Sequence, residues 1–139
     1  MNNQGFSKIT EKLILDHIFG GPNYVRPEYL YICLLIAAIN KLDTGTTILA
    51  KEPDYTGYIR LKVANTIQNF PAAIDFKKNA VVFTFGQCTA GSAVITHWAI
   101  TDAPVGGTIV TFGELEIVKP ISAGDTPSIP INGMTIGLN

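Results

Sequence analysis

The chain has 139 residues, of which 47% are hydrophobic and 15% charged, and its formal net charge is −1. Ordinary globular proteins carry about 25% charged residues, so a surface this weakly charged favours a protein that neighbours cover in an assembly. A compact domain with an uncharged polar surface is the alternative. The length suits a single domain over residues 1–139. Nucleic-acid binding is disfavoured because the sequence shows no basic patch.

Two cysteines, Cys33 and Cys88, lie within apolar runs behind a polar N-terminus that shows no signal peptide. We therefore expect folding in a reducing cytoplasm, with both thiols as small core residues and a Cys33–Cys88 disulfide as the minor alternative. The longest apolar run, residues 29–39, is shorter than the roughly 20 residues that cross a bilayer. The sequence therefore predicts no membrane segment.

One helix is predicted over residues 7–19, after a polar arm at 1–5. Ser7 can cap it, and apolar residues such as Ile9 and Leu13 then recur at spacings of three and four. An apolar stripe of this kind is typical of a helix that packs on a core, and His17 lies on it as an expected packed, hydrogen-bonded ring. Residues 20–22, Gly-Gly-Pro, end the helix.

The pattern then changes to alternating β-formers. Within 58–63, Ile59 is predicted to point to one side of a strand and Arg60 to the other. Residues 35–56 are predicted to form a long connection with turns at 43–46 and 53–54, and 102–107 forms another turn. The predicted strands cover residues 29–34, 58–63, 80–85, 93–101, 108–112, 116–119, 126–131 and 134–138. This predicts a mainly β fold, an antiparallel β-sandwich or jelly roll of about seven to eight short strands with one N-terminal α-helix.

Candidate catalytic and metal-binding residues form no recognisable motif. The metal-ligand candidates are His17, His97, Cys33 and Cys88. None has a metal-site spacing, Cys88 with a histidine matches no nucleophile signature, and His97 suits a cross-strand polar contact better. Glu114 and Glu116 share one face of a strand, which suits an exposed polar face better than a glycosidase pair. We predict a non-enzymatic protein without catalytic residues, metal or cofactor.

The aromatic residues leave a further function open. They are Tyr24, Tyr29, Tyr31, Tyr55, Tyr58 and Trp98. Packing in the core and at interfaces is favoured, because tyrosine suits half-buried positions. A carbohydrate-binding module is the alternative, and it requires Tyr55, Tyr58 or Trp98 on one flat exposed surface.

Several segments in order carry a resemblance to a known family. They are Leu-Asp-His-Ile-Phe-Gly-Gly (15–21), Pro-Glu-Tyr-Leu-Tyr-Ile-Cys-Leu (27–34), Gly-Tyr-Ile-Arg-Leu-Lys-Val (57–63), Thr-His-Trp-Ala-Ile-Thr-Asp-Ala (96–103), Gly-Gly (106–107), Phe-Gly-Glu-Leu (112–115) and Ala-Gly-Asp-Thr (123–126). Over nearly the whole chain the sequence resembles small tailed-phage virion proteins that are labelled tail fibre or minor structural protein. Residues 65–78 depart from the pattern. Proteins of this size and β architecture also serve as capsid cement or decoration proteins.

The resemblance implies a structural virion protein, assembled in the host cytoplasm, with no catalytic residues to carry over. We expect a capsid cement protein that fastens neighbouring major capsid subunits, as a homo-oligomer and with a trimer as the expected state. The alternative is a tail fibre, tail tip or baseplate component bound to other virion proteins. A carbohydrate-binding module and an enzyme are less favoured.

Partner contacts are expected on the polar arm, on the proline-rich segment 126–131 and at aromatic residues suited to interfaces. The residues are Asn2, Asn3, Phe6, Tyr55, Tyr58, Pro127 and Ile129.

Overall fold

A five-stranded antiparallel sheet forms the centre of the computed structural model, which describes residues 4–137. The elements in chain order are β1 (Gly5–Phe6), α1 (Lys8–Ile18), β2 (Tyr29–Leu35), a 3-10 helix (Thr47–Lys51), β3 (Leu61–Ala64), β4 (Lys77–Lys78), β5 (Phe83–Thr84), β6 (Ser92–Thr101), β7 (Ile109–Ser122), β8 (Ser128–Ile129) and β9 (Thr135–Ile136). The strand order of the main sheet is β1-β7-β6-β2-β3, and β4-β9 and β5-β8 form two small two-stranded sheets.

The middle of the main sheet, at β2 and the second half of β6, is buried on both faces. Along β2, Leu30, Ile32 and Leu34 enter one core cluster, while Cys33 and Leu35 enter another. Successive side chains point to opposite faces of a strand, so a strand covered on both sides is apolar throughout. This explains the continuous apolar run that the sequence shows at β2.

The two clusters lie between layers. The first joins Trp98 of β6 to Phe83 of β5 and Ile129 of β8, so the small sheets pack on one face of the main sheet. The second joins Phe112 of β7 to Ile48 of the 3-10 helix. The predicted fold class, a mainly β sandwich with one helix, is confirmed. Cys33 and Cys88 are both buried and free, as the sequence predicts.

The helix agrees with its predicted limits. Ser7 caps α1 by accepting a hydrogen bond from the backbone N of Thr10 at 3.2 Å. At the other end Gly20 has a φ of +79°, a left-handed conformation that glycine adopts without strain. Within the described chain, no helix has the length and apolar character needed to cross a membrane.

The predicted strands 108–112 and 116–119 are one strand, β7. Glu114 lies opposite His97 and Lys119 lies opposite Ile95, so Thr96 alone faces residues 115–118. This irregularity is a β-bulge in the second half of β7, which pairs with β6 alone. The bulge interrupts the alternation of side chains, and this is why the sequence predicts two strands here instead of one.

The prediction for residues 58–63 is wrong at its start. The strand begins at Leu61, Ile59 is 73% exposed and Arg60 is only 6% exposed. Residues 58–60 precede the ladder, so the alternation of a strand does not govern them. The Arg60 side chain turns inward because polar partners from distant loops surround it.

The smaller predicted strands are shorter than expected. The described structure has strand only at 83–84 within 80–85, at 128–129 within 126–131 and at 135–136 within 134–138, where Leu138 lies outside the described residues. The connection 35–56 contains the 3-10 helix. Strand β4 was not predicted. Its two residues are lysines, which do not favour a strand, and only their pairing with β9 defines it.

Candidate protein interface

Helix α1 lies on the sheet through polar contacts. Among residues 8–18 only Thr10 is buried, and its hydroxyl donates to the backbone oxygen of Ile109 at 3.0 Å. The hydroxyl of the capping residue Ser7 donates to the same oxygen. The helix side that faces β7 is therefore the side that carries two hydroxyl groups.

The apolar side chains of α1 are left exposed. We define the α1 surface as Ile9, Leu13, Leu15, Ile18 and Phe19, which are 48%, 38%, 57%, 60% and 75% exposed. The expectation that this helix packs its apolar stripe on the core is wrong. The second core cluster is formed by residues outside α1, among them Ile39, Ile48 and Phe112, and α1 contacts the main sheet at β7.

A groove lies beside the first half of α1. It has a volume of about 570 Å³, and both apolar and charged side chains line it: Phe6, Ile9, Ile14 and Leu15, with Lys8, Glu11 and Lys12. Exposed apolar side chains gathered on one short segment favour a protein contact in soluble proteins. Phe6, one of the predicted partner contacts, is half-buried here.

The charges on α1 are partly unpaired. Glu11 forms an ion pair with Lys41 on the loop after β2. In the described part of the chain the side chains of Lys8, Lys12 and Asp16 make no ion pair or hydrogen bond. The two lysines lie in the first half of the helix and the aspartate in the second half.

His17 is hydrogen-bonded but not packed. Its Nδ1 accepts a hydrogen bond from the backbone N of Tyr24 at 3.0 Å, and the ring is exposed. The sequence prediction was right about the hydrogen bond and wrong about burial. The ring joins the C-terminal half of α1 to the loop that leads into β2.

The other predicted contact residues do not gather at α1. Tyr55, Pro127 and Ile129 are buried within the chain itself, and Tyr58 is half-buried against Tyr55 with ring centroids 5.7 Å apart. Asn2 and Asn3 lie outside the described residues. As partner contacts all of these residues stay predictions.

A buried polar cluster around Arg60 was missed by the sequence analysis. Arg60 Nε and Nη2 donate to the two carboxylate oxygens of Glu52 at 2.9 and 3.0 Å, and both side chains are less than a tenth exposed. Arg60 also donates to the backbone oxygens of Gly45, Ala103 and Gly106 at 2.8 to 3.0 Å. The guanidinium therefore holds two loops and the β6–β7 turn together.

The role of the cluster is structural, since the polar groups of Arg60, Glu52 and Tyr58 are hydrogen-bonded to one another. Burial works against the charge of the guanidinium, but the hydrogen bonds to Glu52 hold the pKa of Arg60 above its usual value. Burial raises the pKa of the Tyr58 hydroxyl, which donates to Glu52 at 2.6 Å. Burial likewise raises the pKa of the Cys33 thiol, which keeps it protonated.

One of the two carboxylates on β7, Glu114, also makes a structural contact. His97 Nε2 lies 3.5 Å from Glu114 Oε2 across the strand pair, which confirms the predicted cross-strand polar contact. Burial lowers the pKa of His97, and the nearby Glu114 acts in the opposite direction. Glu114 and Glu116 are both exposed. Within residues 4–137 no group of three or more His, Cys, Asp or Glu side chains is arranged to hold a metal ion.

A sugar-stacking surface is not formed by the aromatic residues proposed for it. Trp98 is 1% exposed and Tyr55 is 3% exposed, and both belong to the first core cluster. Tyr58 is half-buried against Tyr55, so none of the three rings is exposed on a flat surface of the kind that a carbohydrate-binding module needs.

Comparison with known proteins yields one finding. No curated protein matches the chain. A family model described as Podophage GP4 fiber I protein gp80 matches residues 5–137, which leaves out only a few terminal residues. The match agrees with the tailed-phage resemblance and with a surface suited to protein contact. The chain therefore belongs to this family of phage fibre proteins, and it is a structural component of a phage virion.

Proposed function

We propose that this chain is a non-enzymatic subunit of the phage tail fibre, held in the virion by protein contacts at the α1 surface. The carrying observation is the exposure of four large apolar side chains on one short helix and of Phe19, the residue that follows it. The family description favours the fibre alternative over the expected capsid cement role. Among the described residues, no group of three or more potential metal ligands adds an enzymatic alternative.

The energetics of the α1 surface support a contact role. Complete burial of a large apolar side chain contributes about 1.5 to 3 kcal/mol, so covering one that is half exposed contributes about 1 kcal/mol. One contact cannot cover all five, because Ile9 and Leu13 lie on the opposite side of the helix from Ile18. Covering the three at the C-terminal end, Leu15, Ile18 and Phe19, supplies about 3 kcal/mol from one subunit before the costs of association. These side chains do not hold the helix on the sheet, because the hydroxyl groups of Ser7 and Thr10 do so. Their exposure therefore does not stabilise a free monomer.

Copy number in purified particles separates the fibre from the cement role. The chain is quantified by mass spectrometry against the major capsid protein, and its position is located with a labelled antibody on the particle. A fibre subunit gives far fewer copies than the capsid protein and a label at the tail. A ratio of one to one, or one to a small integer, with label on the head would replace the fibre role with the cement role. Absence from particles would overturn both.

The role of the α1 surface is tested by a double variant, Leu15→Gln with Ile18→Gln. Glutamine keeps the helix propensity while removing the apolar ends. The loss of about 2 kcal/mol at the contact corresponds to roughly thirtyfold weaker binding, so incorporation into particles should fall sharply.

The matched control is Ile67→Gln with Ile74→Gln, which are 65% and 96% exposed and lie away from α1 on the segment between β3 and β4. The control should incorporate like the natural chain. Equal incorporation of both double variants would contradict a contact at the α1 surface.

A further inference from the structure

We propose that α1 binds the β7 bulge of a second copy of this chain, so that copies join head to tail. The inference rests on the proposed function, since it names the partner at the same helix. Apolar exposure, charge and position in the fold each favour this occupant.

The part of α1 that a single contact can cover lies around Leu15. Lys8 and Lys12 both lie within about 60° of Leu15 round the helix. Ile18 lies within the same angle, and Phe19 follows at the end of the helix. We call these five residues the outer face of α1. The three apolar side chains are 57%, 60% and 75% exposed and lie towards the C-terminal end, while the two cations lie towards the N-terminal end.

The outer face has an excess of positive charge. In the described part of the chain the side chains of Lys8 and Lys12 make no ion pair or hydrogen bond. Glu11 also lies on this side, but Lys41 balances its charge. The carboxylate of Asp16 lies about 100° round the helix from the centre of the face. The face therefore suits a segment that offers apolar side chains together with a carboxylate.

The β7 bulge, residues 115–118, offers such a segment. Ile117 is 75% exposed and Val118 is 51% exposed. Glu116 is exposed as well, and within residues 4–137 it makes no ion pair or hydrogen bond. In the described structure β1 pairs with β7 only at 111–112, so its ladder ends before the bulge. Two adjacent aliphatic side chains beside a free carboxylate complement the outer face in both apolar character and charge.

The two surfaces lie at opposite ends of β7. Thr10 holds α1 on the backbone oxygen of Ile109, at the beginning of the strand. The C-terminal half of α1 is bonded to Tyr24, which lines a cavity together with Val110. Ile117 lies eight residues beyond Ile109, about 20 to 25 Å along a strand that contains a bulge. A second copy displaced along β7 brings the bulge of one copy to the outer face of the other.

A contact of this kind is heterologous, because it joins two different surfaces. Each copy that binds through its outer face still has a free bulge, so the association continues beyond a dimer. Such contacts close into a ring or grow into a filament, and repeated subunits of a fibre are arranged in these ways. A twofold contact between two identical surfaces would stop at a dimer.

The first measurement is the mass of the full chain by sedimentation equilibrium, at concentrations up to about 1 mM, where a contact with a Kd of about 1 mM is substantially formed. Species larger than a dimer are the expected result. A chain that stays monomeric overturns the head-to-tail contact, and so does an association that stops at a dimer. Neither result affects the fibre role, which the particle measurements decide.

Two double variants test the pairing of the two surfaces. Leu15→Gln with Ile18→Gln damages the outer face and leaves the bulge intact. Ile117→Thr with Val118→Thr damages the bulge, keeps β-branched side chains in the strand and leaves the outer face intact. Circular dichroism and the fluorescence of Trp98 check the fold of both.

Each double variant alone should stay monomeric where the natural chain associates, because every contact needs one intact surface of each kind. An equal mixture should form a one-to-one dimer and nothing larger, since only one intact outer face and one intact bulge remain for each pair. A mixture that stays monomeric would overturn the pairing, and so would either variant associating like the natural chain.

The charge contact is tested by Glu116→Lys. It should weaken the association about tenfold, because attraction to Lys8 and Lys12 becomes repulsion. Added salt should weaken the association of the natural chain and strengthen that of the variant. Asp75→Lys is the matched control, since Asp75 is an exposed carboxylate that belongs to neither surface, and it should associate like the natural chain. Equal association of the two lysine variants would overturn the placement of Glu116 at the outer face.

Discussion

The buried ion pair of Arg60 and Glu52 gives the sharpest prediction for stability. Arg60 makes six hydrogen bonds and its side chain is 3% exposed, so none of its donors can turn to water when a partner is lost. Removing one member of a buried pair costs about 3 to 5 kcal/mol, because the other charge stays buried without compensation. We expect Arg60→Met to lower the free energy of unfolding by about 4 kcal/mol.

That loss is large for a domain of this size, since native proteins are stable by about 5 to 15 kcal/mol. Urea denaturation followed by the fluorescence of Trp98, the single tryptophan, measures it. Arg26→Met is the matched control. Arg26 is exposed and makes no side-chain hydrogen bond or ion pair within residues 4–137, so its loss should change stability by less than about 0.5 kcal/mol.

A double variant separates the pair from its surroundings. Arg60→Met combined with Glu52→Met removes both charges, and it should cost clearly less than the sum of the two single variants. Additive costs, or an Arg60→Met variant within about 1 kcal/mol of the natural chain, would refute the reasoning.

Three further predictions concern the core. Burial lowers the pKa of His97 from 6.5, so the unfolded chain binds more protons than the folded chain below that pH. The free energy of unfolding should therefore fall as the pH decreases from 6.5. Urea denaturation at several pH values measures this decline, and His97→Gln should flatten it. Cys33 and Cys88 are 0% exposed, so neither should react with a thiol reagent before the chain unfolds, and stoichiometric labelling of the folded chain would contradict their burial. A Cβ at Gly113 would lie 2.5 Å from the Trp98 ring, so Gly113→Ala should cost about 1 to 3 kcal/mol and shift the emission of Trp98, whereas an unchanged spectrum would count against this contact.

Local signals in the sequence were enough for the main elements. The cap at Ser7 and the glycines after Phe19 define α1, and the β-forming runs define β2 and β6 to within a few residues. These features depend on neighbours in the chain, so they can be read without knowledge of the fold.

The burial of Arg60 and the bulge in β7 depend on long-range contacts and could not be predicted from the sequence. Arg60 alternates correctly for an exposed strand position, and only Gly45, Glu52 and the 102–107 turn make it buried. The bulge in β7 depends on the register against β6.

The candidate site has the same limitation. Amphipathicity shows that α1 has an apolar side, but it does not show whether that side meets the chain's own core or another molecule. The choice depends on long-range packing, in which Ile39 and Ile48, and no residue of α1, belong to the second core cluster. Two hydroxyl groups on the opposite side of the helix were the available signal, and Ser7 was read only as a cap.

The attachment of α1 through Ser7 and Thr10 has a consequence for the folding hierarchy of the subunit. Separating α1 from the sheet breaks the two hydroxyl contacts, two backbone hydrogen bonds at Ser7 and Lys8 and the Glu11–Lys41 ion pair, and it exposes no buried apolar side chain of α1. Opening β2 or β6 disrupts both core clusters. The helix therefore belongs to the least stable cooperative unit of the free protein, and its amides exchange with solvent well before those of the central strands. A partner that covers α1 raises the stability of this unit by mass action, so assembly and the ordering of the helix reinforce each other.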